Sequence, residues 1–336
     1  MTVAVAIINF NTAYATLRCL EAVRHIGNVC STLVLDNASE ALDIAKLSAV
    51  VQGIPGVALV RSECNLGFAA GSNFLVQQIL AQTVADKVLL INSDAVPFAQ
   101  LVDMMAPILD RSPMVGLVGG RVHRLEHPDQ PDSLGITLYG SLMASNRLSV
   151  DDPYLGPTGG CVLMSRKFIE DAIASHGHLF DPNYFCYWED TDLVLRARLL
   201  GYEPGYVDTL VALHEGQAST GSRFNSFIAY HGLRNAIWTF FRCMPVSLMW
   251  RRGFSFLLAN LMSVARLVVT GQWRLLFRVY ADALRGLPRC LRSRQRIMAS
   301  RRIPGKQLLP LISEKFYEPG YIPAAIRRMF SRRSAV

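Results

Sequence analysis

Four short, mostly apolar runs, each leading into Asn, Asp or Ser, constrain this chain more than any other feature. Residues 3–8 are wholly apolar and stop at Asn9-Phe10-Asn11-Thr12. Residues 32–35 stop at Asp36-Asn37-Ala38-Ser39, residues 57–60 lead towards Asn65, and residues 88–91 stop at Asn92-Ser93-Asp94. Runs of this length without polar alternation suit parallel strands covered on both faces. Helical patterns separate them, over about residues 13–25, after Ser39, through about residue 81 and over about 99–110. Thr12 is placed to cap the first of these. Strand and helix alternating at this spacing predict βαβ units, hence an α/β, Rossmann-like sheet with helices on both faces.

In such a sheet ligands bind beyond the carboxyl ends of the strands. The four polar turns all lie at that end, so they converge on one crevice. Four nucleotide and hydrolase signatures are missing from it. No G-x-G-x-x-G follows the first strand, no G-K-[ST] marks a P-loop, and neither H-E-x-x-H nor G-x-S-x-G occurs. A dinucleotide dehydrogenase, a P-loop NTPase, a zincin and an α/β-hydrolase are thereby disfavoured.

The second half is less regular. Residues 115–120 and 158–164 read as strands, the latter opening with Gly159 and Gly160, which permit close backbone approach. A helix over 166–175 leads to Phe185-Cys186-Tyr187-Trp188-Glu189-Asp190-Thr191-Asp192, then a helix over 192–200 and a strand over 206–213 that delivers His214. Three carboxylates within four positions, directly behind aromatic rings, are costly unless paired or used. Asp192 suits a helix cap. Capping does not account for Glu189 and Asp190.

Composition adds compartment and charge. Seven cysteines with no C-x-x-C pair predict reduced thiols, and the first residues lack the pattern of a secretory signal. The formal net charge of +8 is uneven: from Arg242 onward 19 Lys and Arg face 3 Asp and Glu. An acidic body thus carries a basic tail suited to anionic partners.

In order and spacing, Asn9 to Asn11, Asp36-Asn37-Ala38-Ser39, Asn65-Leu66-Gly67-Phe68-Ala69-Ala70-Gly71, Asn92-Ser93-Asp94, Thr158-Gly159-Gly160, Glu189-Asp190-Thr191-Asp192 and His214 resemble the nucleotide-sugar glycosyltransferases of the GT-A fold, in the large inverting family two. The bacterial rhamnosyltransferase-like branch is the nearest in appearance. The resemblance implies a catalytic domain over 1–241, with a nucleotide-sugar half at 1–115 and an acceptor half at 116–241, followed by a basic helical region at 242–336. It implies inverting transfer of a sugar, with rhamnose as the branch-level expectation, from a dTDP- or UDP-sugar to a lipid-linked or cell-envelope glycan. The donor side falls to Asn9, Asn11, Asp36, Asn37, Asn65, Gly67, Phe68, Gly71, Asn92, Ser93 and Asp94, and the acceptor side to Gly159, Gly160 and Trp188. Asp190 takes the role of general base, with Glu189 orienting it or the acceptor. Asp94 and His214 fall to a divalent cation, Mg2+ or Mn2+. Here Asn92 replaces the first acid of the Asp-x-Asp metal motif, leaving one hard anionic ligand.

Each residue also has a plainer reading. Asp36 and Asp94 suit turns, His214 a hydrogen-bonded strand end, Gly67 and Gly71 a tight loop–helix junction, and Phe68 and Trp188 core packing. Glu189 and Asp190 have Arg196 and Arg198 as nearby ion-pair partners. Asn92 is the one feature favouring a non-catalytic nucleotide-sugar-binding or glycan-assembly protein, and the intact Glu189-Asp190 pair opposes that reading.

The tail lies outside the resemblance. Its apolar stretch over 254–265 ends before Arg266 and is short of the roughly 20 residues of a spanning helix. Leu257, Leu261, Val264 and Val268 share a helical face, and Arg289, Arg292 and Arg296 line another in a helix that Pro288 is placed to start. With Trp250 and Trp273 these features predict an in-plane segment on an anionic membrane, peripheral at the cytoplasmic face of the plasma membrane. Packing of the same helices on the body or on a second subunit is the alternative, which leaves a homo-oligomer open. No nucleic-acid motif accompanies the charge, and no such partner is expected.

Overall fold

The apolar runs become strands whose alternate residues enter two different cores. In the computed structural model, which describes residues 1–216, 225–320 and Pro323, β1 (Val3–Asn9), β2 (Val29–Asp36), β3 (Val57–Arg61) and β4 (Lys87–Asn92) pair in parallel in the order β3-β2-β1-β4. Arg327, Arg328, Arg332 and Arg333 of the expected basic region lie outside the described residues. Ala4, Ala6, Leu35 and Leu90 face one core with Leu75 and Ile79 of α3 (Gly67–Gln82). Val5, Ile7, Val34 and Leu89 face the other with α1 (Ala13–Val23), α2 (Ala41–Val51) and α4 (Leu101–Asp110). This period-two division is the reason the runs are apolar throughout. Thr12 makes no side-chain cap on α1; Asp43 of α2 instead accepts from the Ala13 N–H at 2.9 Å.

Beyond β4 the sheet is mixed, unlike the first half. β5 (Ala95–Pro97), β6 (Leu117–Arg124), β7 (Pro131–Ser133), β10 (Cys161–Ser165) and β11 (Gly205–His214) complete the order β3-β2-β1-β4-β10-β6-β11-β5, with β7 beside β6. No crossover helix separates β6 from β10, only the hairpin of β8 (Ile136–Leu138) and β9 (Ala144–Asn146), so β10 returns antiparallel to its neighbours. All seven cysteines are free.

α5 (Arg166–His176) is capped by Ser165 and ended by Gly177 at φ 85°. α6 (Glu189–Leu199) begins three residues before the expected start. Asp192 is therefore inside the helix and caps nothing. It is fully buried, accepts from Arg196 Nε at 2.6 Å, from Tyr184 Oη at 3.1 Å and from Cys243 Sγ at 3.1 Å, and lies 3.4 Å from Arg242. Arg242, in the last turn of α7 (Ser226–Cys243), also pairs with Asp181. Burial alone would raise the Asp192 carboxyl, but the two guanidinium charges hold it well below its ordinary value. Arg196 thus serves Asp192 rather than Glu189 or Asp190, and Arg198 donates to the carbonyls of Leu155 and Tyr154. The boundary expected before residue 242 falls in the last turn of α7, in the middle of this network.

α8 (Val246–Val269) and α9 (Trp273–Ala299) follow α7; Pro288 lies within α9 rather than at its start. Rings and guanidinium groups alternate between α7 and α9. Arg278 stands 4.4 Å from the Tyr230 ring centroid, and Arg234 and Arg289 stand 4.2 and 4.7 Å from that of Trp238. Gly286 is required there, since a Cβ would come within 2.5 Å of the Trp238 ring. α8 runs unbroken for 24 residues, so it exceeds the apolar piece read from the sequence. Among the described residues it is the one helix long and apolar enough to cross a membrane.

We predict that Asp192→Asn, which leaves two buried guanidinium groups with less compensation, lowers unfolding stability by about 3–5 kcal/mol. Urea unfolding measures this, and a loss below about 1 kcal/mol would show the network to be dispensable.

Candidate active site

The turn before α6 is built from residues that resist its conformation. Phe185, Tyr187 and Trp188 have φ of 67°, 65° and 73°, a left-handed region costly for bulky side chains. Asn235 of α7 over-determines it: its fully buried Nδ2 donates to the carbonyls of Tyr184, Cys186 and Tyr187 at 3.0, 2.9 and 2.7 Å. Gly67 fits under the turn, because a Cβ there would lie 2.5 Å from the Phe185 carbonyl oxygen. Sequence reasoning passed over Asn235; its only signal is an amide placed mid-helix among apolar neighbours.

The turn delivers Glu189 and Asp190 to a cleft of about 1460 Å3. Asp190 is half-buried, accepts from the Gly159 N–H at 3.2 Å and from the Thr191 N–H at 2.6 Å. Burial raises its pKa, and these hydrogen bonds offset part of the rise by favouring the anion. Glu189 is 7% exposed, and among the described residues its Oε2 has no hydrogen-bond partner. Burial first, and the charge of Asp190 second, push its pKa well above the usual carboxylate range. The two neighbouring acids are therefore in unequal surroundings, and Glu189 holds its proton more tightly than an ordinary glutamic acid.

Gly159 and Gly160 stand between these acids and the strand-end residues. A Cβ on Gly159 would meet the Phe68 ring at 3.1 Å, and one on Gly160 would meet Asn92 Nδ2 at 3.1 Å. Asn92 Nδ2 lies 3.4 Å from His214 Nε2, which is 2.9 Å from Asp94 Oδ1. The other ring nitrogen, Nδ1, lies 2.8 Å from Asp132 Oδ2. Burial opposes the imidazolium, but its bonds to Asp132 and Asp94 raise His214 to about 10.

Asp94 and His214 are the two expected cation ligands, and the structure brings them together. Octahedral ligands at about 2.1 Å lie about 3 Å apart when cis, close to the Asp94–His214 separation. The proton on Nε2 would have to leave, and Asp132 would orient the ring from behind. Among the described residues no group of three or more His, Cys, Asp and Glu is placed to hold a metal ion.

The expected donor residues divide. Asn37, Asn65, Gly67, Phe68, Asn92, Ser93 and Asp94 line the cleft, as do Gly159, Gly160, Trp188 and His214. Asn37 and Asn65 are also bonded to each other at 3.0 Å, and Asn37 Oδ1 takes the Leu66 N–H. Asn9, Asn11, Asp36 and Gly71 do not line it. Asn9 is fully buried, with Nδ2 near Asp36 at 3.2 Å, Ser39 at 3.0 Å and Asp43 at 2.9 Å. Asn11 Oδ1 accepts from the Glu40 N–H. Gly71 lies within α3 on its sheet-facing side, where a Cβ would come within 3.1 Å of Ile8 and Leu35. Asp36 is fully buried beside Arg61 at 3.3 Å, with an Oδ2 that accepts no hydrogen bond among the described residues.

A mixed sheet with a polar cleft at its strand ends, flanked by an acid pair and a histidine–carboxylate pair, defines a class that the comparisons identify. The sequence pattern described as glycosyltransferase like family 2 matches residues 2–229, and the chain belongs to that family. It is a rhamnosyltransferase-like glycosyltransferase of the GT-A fold. An N-acetylglucosaminyl-diphospho-decaprenol L-rhamnosyltransferase of Mycobacterium tuberculosis is 26% identical over 230 residues, 60% of this chain and 71% of that protein. GalNAc-T7, solved with UDP, GalNAc and Mn2+, superposes with a TM-score of 0.61 at 12% identity over 79% of this chain; the match spans 51% of GalNAc-T7. S. aureus TarS with UDP-GlcNAc gives 0.57 at 12% identity over 89% of each chain. A mannosyltransferase from Pyrobaculum calidifontis with GDP-Man and Mn2+ gives 0.51 at 14% identity over 89% of this chain and 85% of that one. At such identities the structural likeness is one of fold.

The raised pKa of Glu189 sets a sign. Its folded form prefers the proton, so this stabilising preference is full below the ordinary value and is lost as pH rises through the raised one. We predict that Glu189→Gln, which keeps the shape without the charge, melts above the wild type near pH 8 and loses that advantage near pH 5. Calorimetry checks this, and a variant that melts lower at both pH values contradicts it.

Proposed function

We propose that this chain transfers a sugar, rhamnose from dTDP-rhamnose being the leading donor, with inversion to a hydroxyl of a lipid-linked N-acetylglucosamine acceptor at the cytoplasmic face of a membrane. The observation that carries the reading is Asp190, a carboxyl that accepts from two backbone N–H groups at the wall of the same cleft as Asp94 and His214. In direct displacement the acceptor oxygen attacks the anomeric carbon, the bond to the diphosphate breaks with its electron pair, and Asp190 takes the hydroxyl proton. A pKa raised above the ordinary aspartate value makes it a better base for that proton. Glu189, protonated beside it, is placed to donate a hydrogen bond to acceptor or sugar.

The leaving diphosphate develops charge, and electrostatic stabilisation there is the largest requirement of the chemistry. Asp94 and His214 would hold a Mg2+ or Mn2+ that supplies it. Asn37, Asn65 and Phe68 form the nearby wall for the nucleotide, supported from behind by Asn9, Asn11 and Asp36. The M. tuberculosis relative, by its name, acts on a diphospho-decaprenol-linked N-acetylglucosamine. The basic, apolar helices of the tail support a membrane-bound acceptor of the same kind.

Asp190→Asn should lower turnover at least about a hundredfold, as expected for loss of a general base. It should keep the thermal shift that dTDP-rhamnose produces. Equal loss of both would refute the assignment of Asp190. The shift should also grow with Mn2+ in the wild type and not in Asp94→Ala; a metal increment that survives this substitution would place the cation elsewhere.

A further inference from the structure

One wall of the cleft comes from beyond the region that matches the family. Ala259, Met262, Ser263 and Arg266 of α8 line it at helical spacing, so a single stripe of that helix faces the site. A second stripe, Leu248, Phe256, Asn260 and Leu267, is buried. The third is apolar and open: Trp250 is 85% exposed, Phe254 78%, Leu257 53% and Leu261 54%. Met262, 38% exposed, borders both the open stripe and the cleft, so the apolar surface continues from solvent into the site. Such a surface does not stay in water.

Three features indicate what covers it. Arg251 and Arg274 flank the stripe as exposed cations, and Trp250 and Trp273 stand exposed near the two ends of α8. Amphipathic rings and cations around an apolar stripe match the interface of an anionic bilayer. α8 does not leave the body to span that bilayer, because its other faces are packed or line the cleft; Tyr280 of α9, for example, reaches Asn260 at 3.3–3.4 Å. Arg266 sits one turn beyond Met262 on the cleft wall and has no carboxylate partner among the described residues. Arg124 also lines the described cleft, which gathers the acids Asp94, Asp132, Asp190 and Glu215, and Arg266 is the cation that α8 brings to it. A half-buried guanidinium next to an apolar track is a site for a phosphate whose tail is a hydrocarbon.

We infer that the outer stripe of α8 seats the hydrocarbon of a lipid diphosphate in the membrane surface while Arg266 contacts its phosphates, which presents the attached sugar to the cleft. This rests on the proposed lipid-linked acceptor, and the test separates the two. Vesicles of phosphatidylcholine and phosphatidylglycerol, with or without farnesyl diphosphate, are floated with the full chain. The wild type should bind both and bind the doped vesicles several-fold better. Arg266→Gln should lose that increment, and Trp250→Ser combined with Phe254→Ser should weaken binding to both, with circular dichroism verifying the fold. An increment that survives Arg266→Gln, or a double variant that floats like the wild type, overturns the inference whatever the enzyme's acceptor proves to be. In turnover with dTDP-rhamnose, Arg266→Gln should raise KM for farnesyl-diphosphate-linked N-acetylglucosamine about tenfold more than for octyl N-acetylglucosaminide, the size of one charge-assisted contact. Equal effects on the two acceptors would also overturn it. Absence of turnover by the wild type would count against the proposed reaction alone, since flotation still decides the lipid site.

Discussion

The buried contact between Asp192 and the guanidinium groups of Arg196 and Arg242 is what the placement of Glu189 and Asp190 at the cleft depends on. Ion pairs this deep are weak arguments for stability, because apolar side chains of the same volume would cost less desolvation. Their geometric consequence is larger. Asp192 points into the core of α6 and draws in Arg242 from α7, which also holds Asp181 at the start of the preceding turn. Two residues earlier on a helix lies about 200° around its axis, so fixing Asp192 inward turns Asp190 outward to the cleft. Asn235 then holds the strained turn from the same helix α7. A single helix thus supplies both the charge that orients α6 and the amide that pins its entrance.

With that frame set, the chemistry follows from unequal surroundings of two adjacent acids. Asp190 receives backbone N–H groups and Glu189 Oε2 receives nothing among the described residues. Unequal environments of this kind separate the proton affinities of two adjacent carboxyls, which the proposed division into base and hydrogen-bond donor requires. The Gly159-Gly160 pair contributes to both sides of this arrangement. Its first N–H holds Asp190, and the missing Cβ atoms let Phe68 and Asn92 close against the backbone.

What could be read from the sequence follows how local each signal is. β1, β2 and β4 were legible because a strand buried on both faces shows itself in four to six consecutive residues, and β3, at the sheet edge, still carries an apolar run. The mixed half was not, since residues 125–160 form short hairpins whose strand order is set by tertiary pairing. Asp192 misled for a similar reason: an acid near a helix start resembles a cap, and only the arrival of Arg242 fifty residues later makes it an internal ion. Asn9 and Gly71 lie in recognisable motifs, yet their burial shows that a motif can mark the scaffold of a site as readily as its surface. Asn235 carried no pattern at all, because its three acceptors come from a turn some fifty residues earlier in the chain.

The tail shows where a one-face reading of a helix fails. Leu257, Leu261, Val264 and Val268 were a sufficient reason to expect an amphipathic segment, but α8 has three functions distributed around its axis. A packed stripe ties it to the body, a polar-edged stripe closes the cleft, and an apolar stripe faces outward. The family-matched region stops at residue 229, before α8 begins. The strand ends and the acid pair therefore lie in the family-matched region, while part of the opposing wall of the cavity comes from the helix that follows it. A fold that keeps its nucleotide chemistry can acquire a new acceptor by changing such an extension, without disturbing the strand ends on which transfer depends.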